Sequence, residues 1–104
     1  MLLDNTSYTI SASDGIDLFV RDHSVKNSDK VILLIHGLGE HSGRYLNLIQ
    51  DFNDKNISVF TIDIRGHGKS AGKRGHSPSY EQLMRDIQYF VQHVTNTTLN
   101  QKHF

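Results

Sequence analysis

The residues best placed to do chemistry lie in two glycine-rich stretches. The first, His36-Gly37-Leu38-Gly39-Glu40-His41-Ser42-Gly43-Arg44-Tyr45, follows an unbroken apolar run from Val31 to Ile35. A strand that breaks into a Gly-punctuated turn and then enters a helix presents backbone N–H groups at the carboxyl end of a sheet. That edge is where open α/β folds bind ligands. The second stretch, Asp63-Ile64-Arg65-Gly66-His67-Gly68-Lys69-Ser70 and onward to Ser79, is rich in glycine and basic residues and has no periodicity. Loops of that length are functional or mobile.

Several competing chemistries can be weighed on these residues. Gly75-His76-Ser77-Pro78-Ser79 has the outline of a nucleophile elbow. The residue after such a serine must donate its backbone N–H to the oxyanion, and Pro78 has none. No apolar strand precedes it either, since Lys73 and Arg74 stand there. Gly68-Lys69-Ser70 resembles the end of a phosphate loop, but Asp63 stands where that loop needs its first glycine. His36, His41, His67 and His76 show no helical His-x-x-x-His spacing and no carboxylate at motif distance, so a metal site is not expected. Gly37, Gly39 and Gly43, with Asp63 ending the next strand, admit a relaxed dinucleotide-binding reading. Against it, Glu40 would set a carboxylate beside a pyrophosphate, and Arg65-Gly66-His67-Gly68 would have no purpose.

The elements that must hold these loops follow from local pattern. Ser7 to Ala12 has strand composition, Ser13-Asp14-Gly15 reads as a turn, and Asp17 to His23 alternates. Together they predict an antiparallel hairpin at a sheet edge. Val31 to Ile35, β-branched or Leu throughout, reads as a strand buried on both faces. Ser42 is the expected N-cap of a helix whose core stripe is Tyr45, Leu48, Ile49 and Phe52. Lys55 should close that helix, and Asn56 suits a left-handed cap. Ile57 to Ile62 forms the next strand, completing a right-handed βαβ unit. Ser79 and Gln82 form a capping box that opens a helix to about Thr95, with Leu83, Ile87, Phe90, Val91 and Val94 on its core face. That crossover helix should deliver a further parallel strand, and none follows. Strand 31–35 is therefore expected to have one neighbour and an apolar edge through which copies can associate.

Composition bounds the rest. The 104 residues support one small domain. The 11 basic and 11 acidic residues balance to a net charge of zero, and no basic excess points to nucleic acid. Cysteine is absent, which excludes a disulfide scaffold and thiolate metal ligands and fits a cytoplasmic protein. The apolar runs are too short to span a bilayer, and the start of the chain has no signal-peptide pattern. The expected location is the cytoplasm, at most peripheral to a membrane.

The run from His36 to Tyr45, followed after a helix and a strand by Asp63-Ile64-Arg65-Gly66-His67-Gly68-Lys69-Ser70, resembles the N-terminal part of the monoacylglycerol lipase and lysophospholipase group of α/β-hydrolases. The resemblance covers roughly residues 14–94. It implies the N-terminal part of an α/β-hydrolase sheet, an edge hairpin followed by βαβ and a further helix, in one partial domain over 1–104. It implies a serine hydrolase of carboxylic esters such as monoacylglycerols or lysophospholipids, with no cofactor. By the same resemblance, the backbone N–H of Leu38 is one oxyanion-hole donor, and His36, Gly37 and Gly39 shape that turn. Gly66, His67 and Gly68 support the site from the neighbouring loop. The family's nucleophile sits in a Gly-x-Ser-x-Gly elbow on the strand after this helix, followed by an acid and a histidine. The chain is expected to stop before that strand and to be inactive alone. The alternatives are a dinucleotide-binding module and a non-catalytic remnant that works by association.

Overall fold

A computed structural model describes residues 6–35, 45–75 and 78–102. The elements run β1 (Thr6–Ser11), β2 (Asp17–His23), β3 (Lys30–Ile35), α1 (Leu46–Asp54), β4 (Ile57–Ile62) and α2 (Tyr80–Lys102). The sheet order is β1-β2-β4-β3. β1 pairs antiparallel with β2, with Tyr8 opposite Val20 and Ile10 opposite Leu18. Gly15, at φ 86°, makes the turn between them. β2 pairs antiparallel with β4, and β3 runs parallel to β4 with Ile35 opposite Ile62. The predicted hairpin and βαβ unit are both present.

Burial is distributed differently from the expectation. Val31 to Leu34 are only half-buried and Ile35 is exposed, while β4 is buried from Ser58 to Ile62. β4, like β2, has a strand on each side, and β3 has one, so β4 and not β3 is an inner strand of the described sheet. Leu18, Val20, Phe60 and Ile62 share a core with Ala12 and with Phe90 and Val94 of α2. Val59 points to the other face by the pleat, and α1 packs against β4 with Ile49 fully buried outside that cluster.

α1 opens at Leu46, with Tyr45 at the N-cap and no side-chain cap bond. Ser42, the expected cap, lies outside the described residues. Of the expected stripe, Ile49 is buried, Tyr45 and Phe52 are half-buried, and Leu48 is exposed. Asn53, which hydropathy passes over, is buried because its Nδ2 donates to the carbonyls of His23 at 2.9 Å and Ile57 at 2.8 Å. Lys55 closes the helix and Asn56 is left-handed at φ 63°, both as predicted. At the start of α2, Ser79 Oγ accepts the N–H of Gln82 at 3.1 Å. α2 runs to Lys102, past the predicted end at Thr95, and Val91 is exposed rather than in the core. Among the described residues no helix is long and apolar enough to cross a membrane.

His23 is 1% exposed. Burial, helped by the Arg21 charge and opposed by Asp22, holds its imidazole below the usual histidine range. Burial likewise lowers His93, whose Nε2 lies 2.5 Å from the Tyr8 hydroxyl; the same burial raises that phenol to about 12. Both histidines are depressed on folding, so the unfolded chain takes up protons first as pH falls. Stability should therefore be fully present above the unfolded value of about 6.5 and be lost progressively as pH drops below it. Urea titrations followed by circular dichroism should show a lower midpoint at pH 5.5 than at pH 7.5. An unchanged or higher midpoint at the acid pH would contradict the neutral, buried assignment.

Candidate active site

β3 and β4 are parallel, and Ile35 lies opposite Ile62. The segment after Ile35 and the loop after Ile62 therefore leave from the same edge of the sheet. β2 is antiparallel to both, so its opening residues reach that edge too. The N–H of Asp63 donates to the carbonyl of Phe19 at 3.0 Å.

The loop after β4 is closely fastened rather than loose. Asp63 is 1% exposed, and its Oδ2 accepts the N–H of Lys69 at 3.0 Å. The Ser70 hydroxyl donates to the carbonyl of Asp63 at 2.5 Å and accepts the N–H of Phe19 at 2.7 Å. Ala71 N–H donates to Asp17 O, Gly66 N–H to Ala71 O, and Gly75 N–H to Gly66 O, all within 2.9 Å. Arg74 closes the far end, donating from Nη1 to Ser70 O and from Nη2 to Gly68 O, both at 2.7 Å. Two chain reversals in so short a span require left-handed backbone. Gly72 shows why glycine is needed: at φ 112° a Cβ would also stand 3.1 Å from Gly66 N.

Arg65 ties this loop to the rest of the fold. Its Nε and Nη2 donate to Oδ2 and Oδ1 of Asp86 on α2 at 2.8 and 3.0 Å. Its Nη1 and Nη2 donate to Oδ2 and Oδ1 of Asp14 in the β1–β2 turn at 2.8 and 3.1 Å. Gln82 Nε2 adds a bond to Asp86 Oδ1 at 2.9 Å. The bonds to Asp86, then those to Asp14, raise the Arg65 guanidinium above its usual range. The hydrogen bonds from Arg65 lower the Asp14 carboxyl to about 2.

The expected site residues divide between described and undescribed segments. Gly66, His67 and Gly68 lie in the fastened loop. Gly66 and Gly68 are left-handed at φ 76° and 52°, and His67 is buried, with Nδ1 3.0 Å from Arg65 O. His36, Gly37, Leu38 and Gly39 lie outside the described residues, as do His41, Gly43, His76 and Ser77. Among the described residues no three His, Cys, Asp or Glu side chains are arranged to hold a metal ion.

Motif reading passed over one match. Gly68-Lys69-Ser70-Ala71-Gly72 has the literal Gly-x-Ser-x-Gly spacing. The geometry removes it from contention as a nucleophile. Ser70 is 1% exposed, and its hydroxyl is engaged with two backbone groups and, among the described residues, with no histidine. Reading also missed Asp14 and Asp86, because nothing local in the sequence connects either to Arg65.

A family described as serine aminopeptidase, S33, matches residues 26–104. The chain is 56% identical over 57 residues to an abhydrolase domain-containing protein of Dictyostelium discoideum, covering 55% of this chain and 6% of that one. It is 36% identical over 83 residues to human monoglyceride lipase, covering 79% of this chain and 26% of the lipase. The structure of a soluble variant of the Saccharomyces cerevisiae monoglyceride lipase in complex with a substrate analog superposes with a TM-score of 0.78 at 21% identity. That superposition covers 98% of this chain and 33% of the lipase chain. The chain thus spans about a quarter or less of the curated relatives it matches here. The hydrolase reading is favoured over the dinucleotide one.

Arg65→Ala should strand the Asp86 carboxylate, whose side chain is 6% exposed. The expected cost is about 3–5 kcal/mol, a large part of the stability of so small a domain. Arg65→Lys should be intermediate, since an ammonium cannot serve two carboxylates with paired bonds. Asp14→Asn, at the exposed end of the pair, should matter least. Ser70→Ala should cost about 1–3 kcal/mol through the lost partner of Phe19 N–H. Urea midpoints rank the four, and a larger loss for Asp14→Asn than for Arg65→Ala would refute the assignment.

Proposed function

Because the chain belongs to the serine aminopeptidase S33 family of α/β-hydrolases, we propose that it is the oxyanion-loop portion of a carboxylic-ester hydrolase. It forms a monoglyceride lipase-like N-terminal portion of the fold, which the relatives and the superposition support. The observation that carries the reading is the shared edge of β3 and β4. β3 ends at Ile35 beside the end of β4, where the fastened loop from Asp63 to Gly75 begins, and the sequence carrying Leu38 continues from Ile35, which supports the reading.

The chemistry asked of this portion is electrostatic. Attack on an ester carbonyl puts negative charge on its oxygen. A backbone N–H held by a strand and a glycine turn receives that charge without reorganising. Leu38 supplies that donor, and His36, Gly37 and Gly39 shape the turn that aims it. Gly66, His67 and Gly68 back the turn from the neighbouring loop, which Arg65 anchors to α2 and the hairpin. The substrates are esters of fatty acyl chains, monoacylglycerols or lysophospholipids, handled in the cytoplasm or at a membrane surface. Acyl transfer of this kind uses protein groups alone and takes no cofactor. The nucleophile is neither Ser70, which is buried and engaged, nor Ser77, which Pro78 leaves without a following N–H. The 104-residue chain therefore turns over no ester by itself.

Purified chain incubated with a short-chain nitrophenyl ester should release nitrophenol at the buffer rate; turnover above it would refute the inactivity. A chimera carrying residues 26–104 in place of the matched portion of human monoglyceride lipase tests the donor. Leu38→Pro in that chimera removes one N–H and should lower kcat roughly 10²–10³-fold with KM little changed. An unchanged kcat would remove Leu38 from the site.

A further inference from the structure

The loop between β4 and α2 carries charge of one sign. From Ile64 to Tyr80 it holds Arg65, Lys69, Lys73 and Arg74 and no acidic residue. Asp14 and Asp86 neutralise Arg65. Lys69, Lys73 and Arg74 are exposed, and among the described residues no carboxylate pairs with any of them. Asp63 is buried, with its Oδ2 on the Lys69 N–H. Asp17, exposed at the start of β2 where Ala71 N–H bonds its carbonyl, offsets one of the three charges.

The fold gathers these charges and holds them. Arg74 folds back so that its guanidinium lies on Gly68 O and Ser70 O, both at 2.7 Å, the carbonyls of the two residues that flank Lys69. Those acceptors are neutral, so the bonds fix the guanidinium without cancelling its charge. The Lys69 ammonium stands 5.4 Å from the centroid of the Phe19 ring on β2, and the Arg21 guanidinium reaches the same ring at 5.1 Å. Cations fixed on one scaffold build a local potential that a net charge of zero conceals. The opposite end of the sheet is the contrast. Lys26, Lys30 and Lys55 are exposed there, but Asp29 and Asp54 stand beside them in the sequence and are exposed too.

We propose that the Lys69–Arg74 segment is a docking surface for an anionic lipid bilayer, setting the edge where β3 and β4 end against the headgroups. The choice of partner rests on the ester-hydrolase reading, since esters of fatty acyl chains reside in bilayers. Tyr80, 72% exposed where the loop meets α2, has the amphipathic ring favoured at headgroup level. Nucleic acid fits less well, because the patch is small and the chain has no basic excess. Each cation near an anionic surface strengthens attachment roughly 5-fold, so three give weak, reversible, salt-sensitive binding.

Purified chain should cosediment with phosphatidylcholine vesicles containing about 30% phosphatidylserine and not with phosphatidylcholine alone. Raising salt from about 0.05 to 0.3 M should weaken binding at least roughly 10-fold. Lys69→Gln combined with Lys73→Gln should weaken it roughly 25-fold. Lys30→Gln combined with Lys55→Gln removes the same charge from the opposite end and should change it less than about 2-fold. All four positions are exposed, so circular dichroism should be unchanged in both variants. Absence of binding to the anionic vesicles, equal binding to neutral ones, or equal losses from the two lysine pairs would overturn the proposal. So would displacement by inorganic phosphate at matched ionic strength, which marks a free-anion site, or tighter binding to duplex DNA, which marks a nucleic-acid partner. The lipid and salt comparisons use the natural chain, so they decide even where a variant misfolds. No arm measures turnover, so a failure here leaves the ester-hydrolase reading standing.

Discussion

One guanidinium holds three parts of this chain in register. Arg65 stands two residues past the end of β4 and reaches the β1–β2 turn through Asp14 and α2 through Asp86. Other polar contacts join these parts in pairs, the loop to β2 through Ser70 and Ala71 and the hairpin to α2 through Tyr8 and His93, but Arg65 reaches all three at once. Apolar packing between them sets distance but not angle. A planar fork with donors on two sides does set angle, because each carboxylate must lie in its plane. The two halves are unequal. Asp86 is nearly buried and Asp14 is half-exposed, so the helix is gripped and the turn is steadied.

The loop depends on that grip. It doubles back on itself through Gly66 and Gly72, and the N–H groups of Gly66, His67, Ser70, Ala71 and Gly75 all donate within the loop or to β2. A loop so engaged behaves as part of the scaffold. It therefore gives the edge where β3 and β4 end a fixed wall. A fixed wall is the kind of support that electrostatic stabilisation of a transition state requires, since that stabilisation is worth most when its donors are already in place.

The strands and helices were legible in the sequence because their signals are local. The turn at Gly15, the left-handed Asn56 and the Ser79 cap each rest on one residue's conformational preference, and each was found where predicted. Burial was less legible. Val31–Ile35 reads as a strand buried on both faces; β3 has the one neighbour expected of it among the described strands, and its side chains are accordingly less buried than those of β4, which has two. Leu48 and Val91 fit helical stripes but are exposed, because a stripe shows periodicity and not how wide a partner covers it. Asn53 went unseen for the converse reason: it is buried by carbonyls it can satisfy, a property no hydropathy scale carries. The Arg65 pairs joined residues 21 and 51 positions apart, beyond the reach of any spacing rule.

Ser70 shows how far a spacing can stand from a chemistry. Its flanking glycines match the elbow pattern, and in a nucleophile elbow those glycines keep the serine exposed on a sharp turn with a histidine at its hydroxyl. Here the same residue types serve a reversal that buries the serine. A hydroxyl that donates to one carbonyl and accepts from one amide has its proton committed, and among the described residues no base bonds to it. Freeing it for attack would leave Phe19 N–H and Asp63 C=O without these partners in the interior, at about 1–3 kcal/mol for each unpaired group before any bond to a substrate formed. The glycines of this loop therefore serve its fold, and the match to the elbow spacing is one of residue types alone.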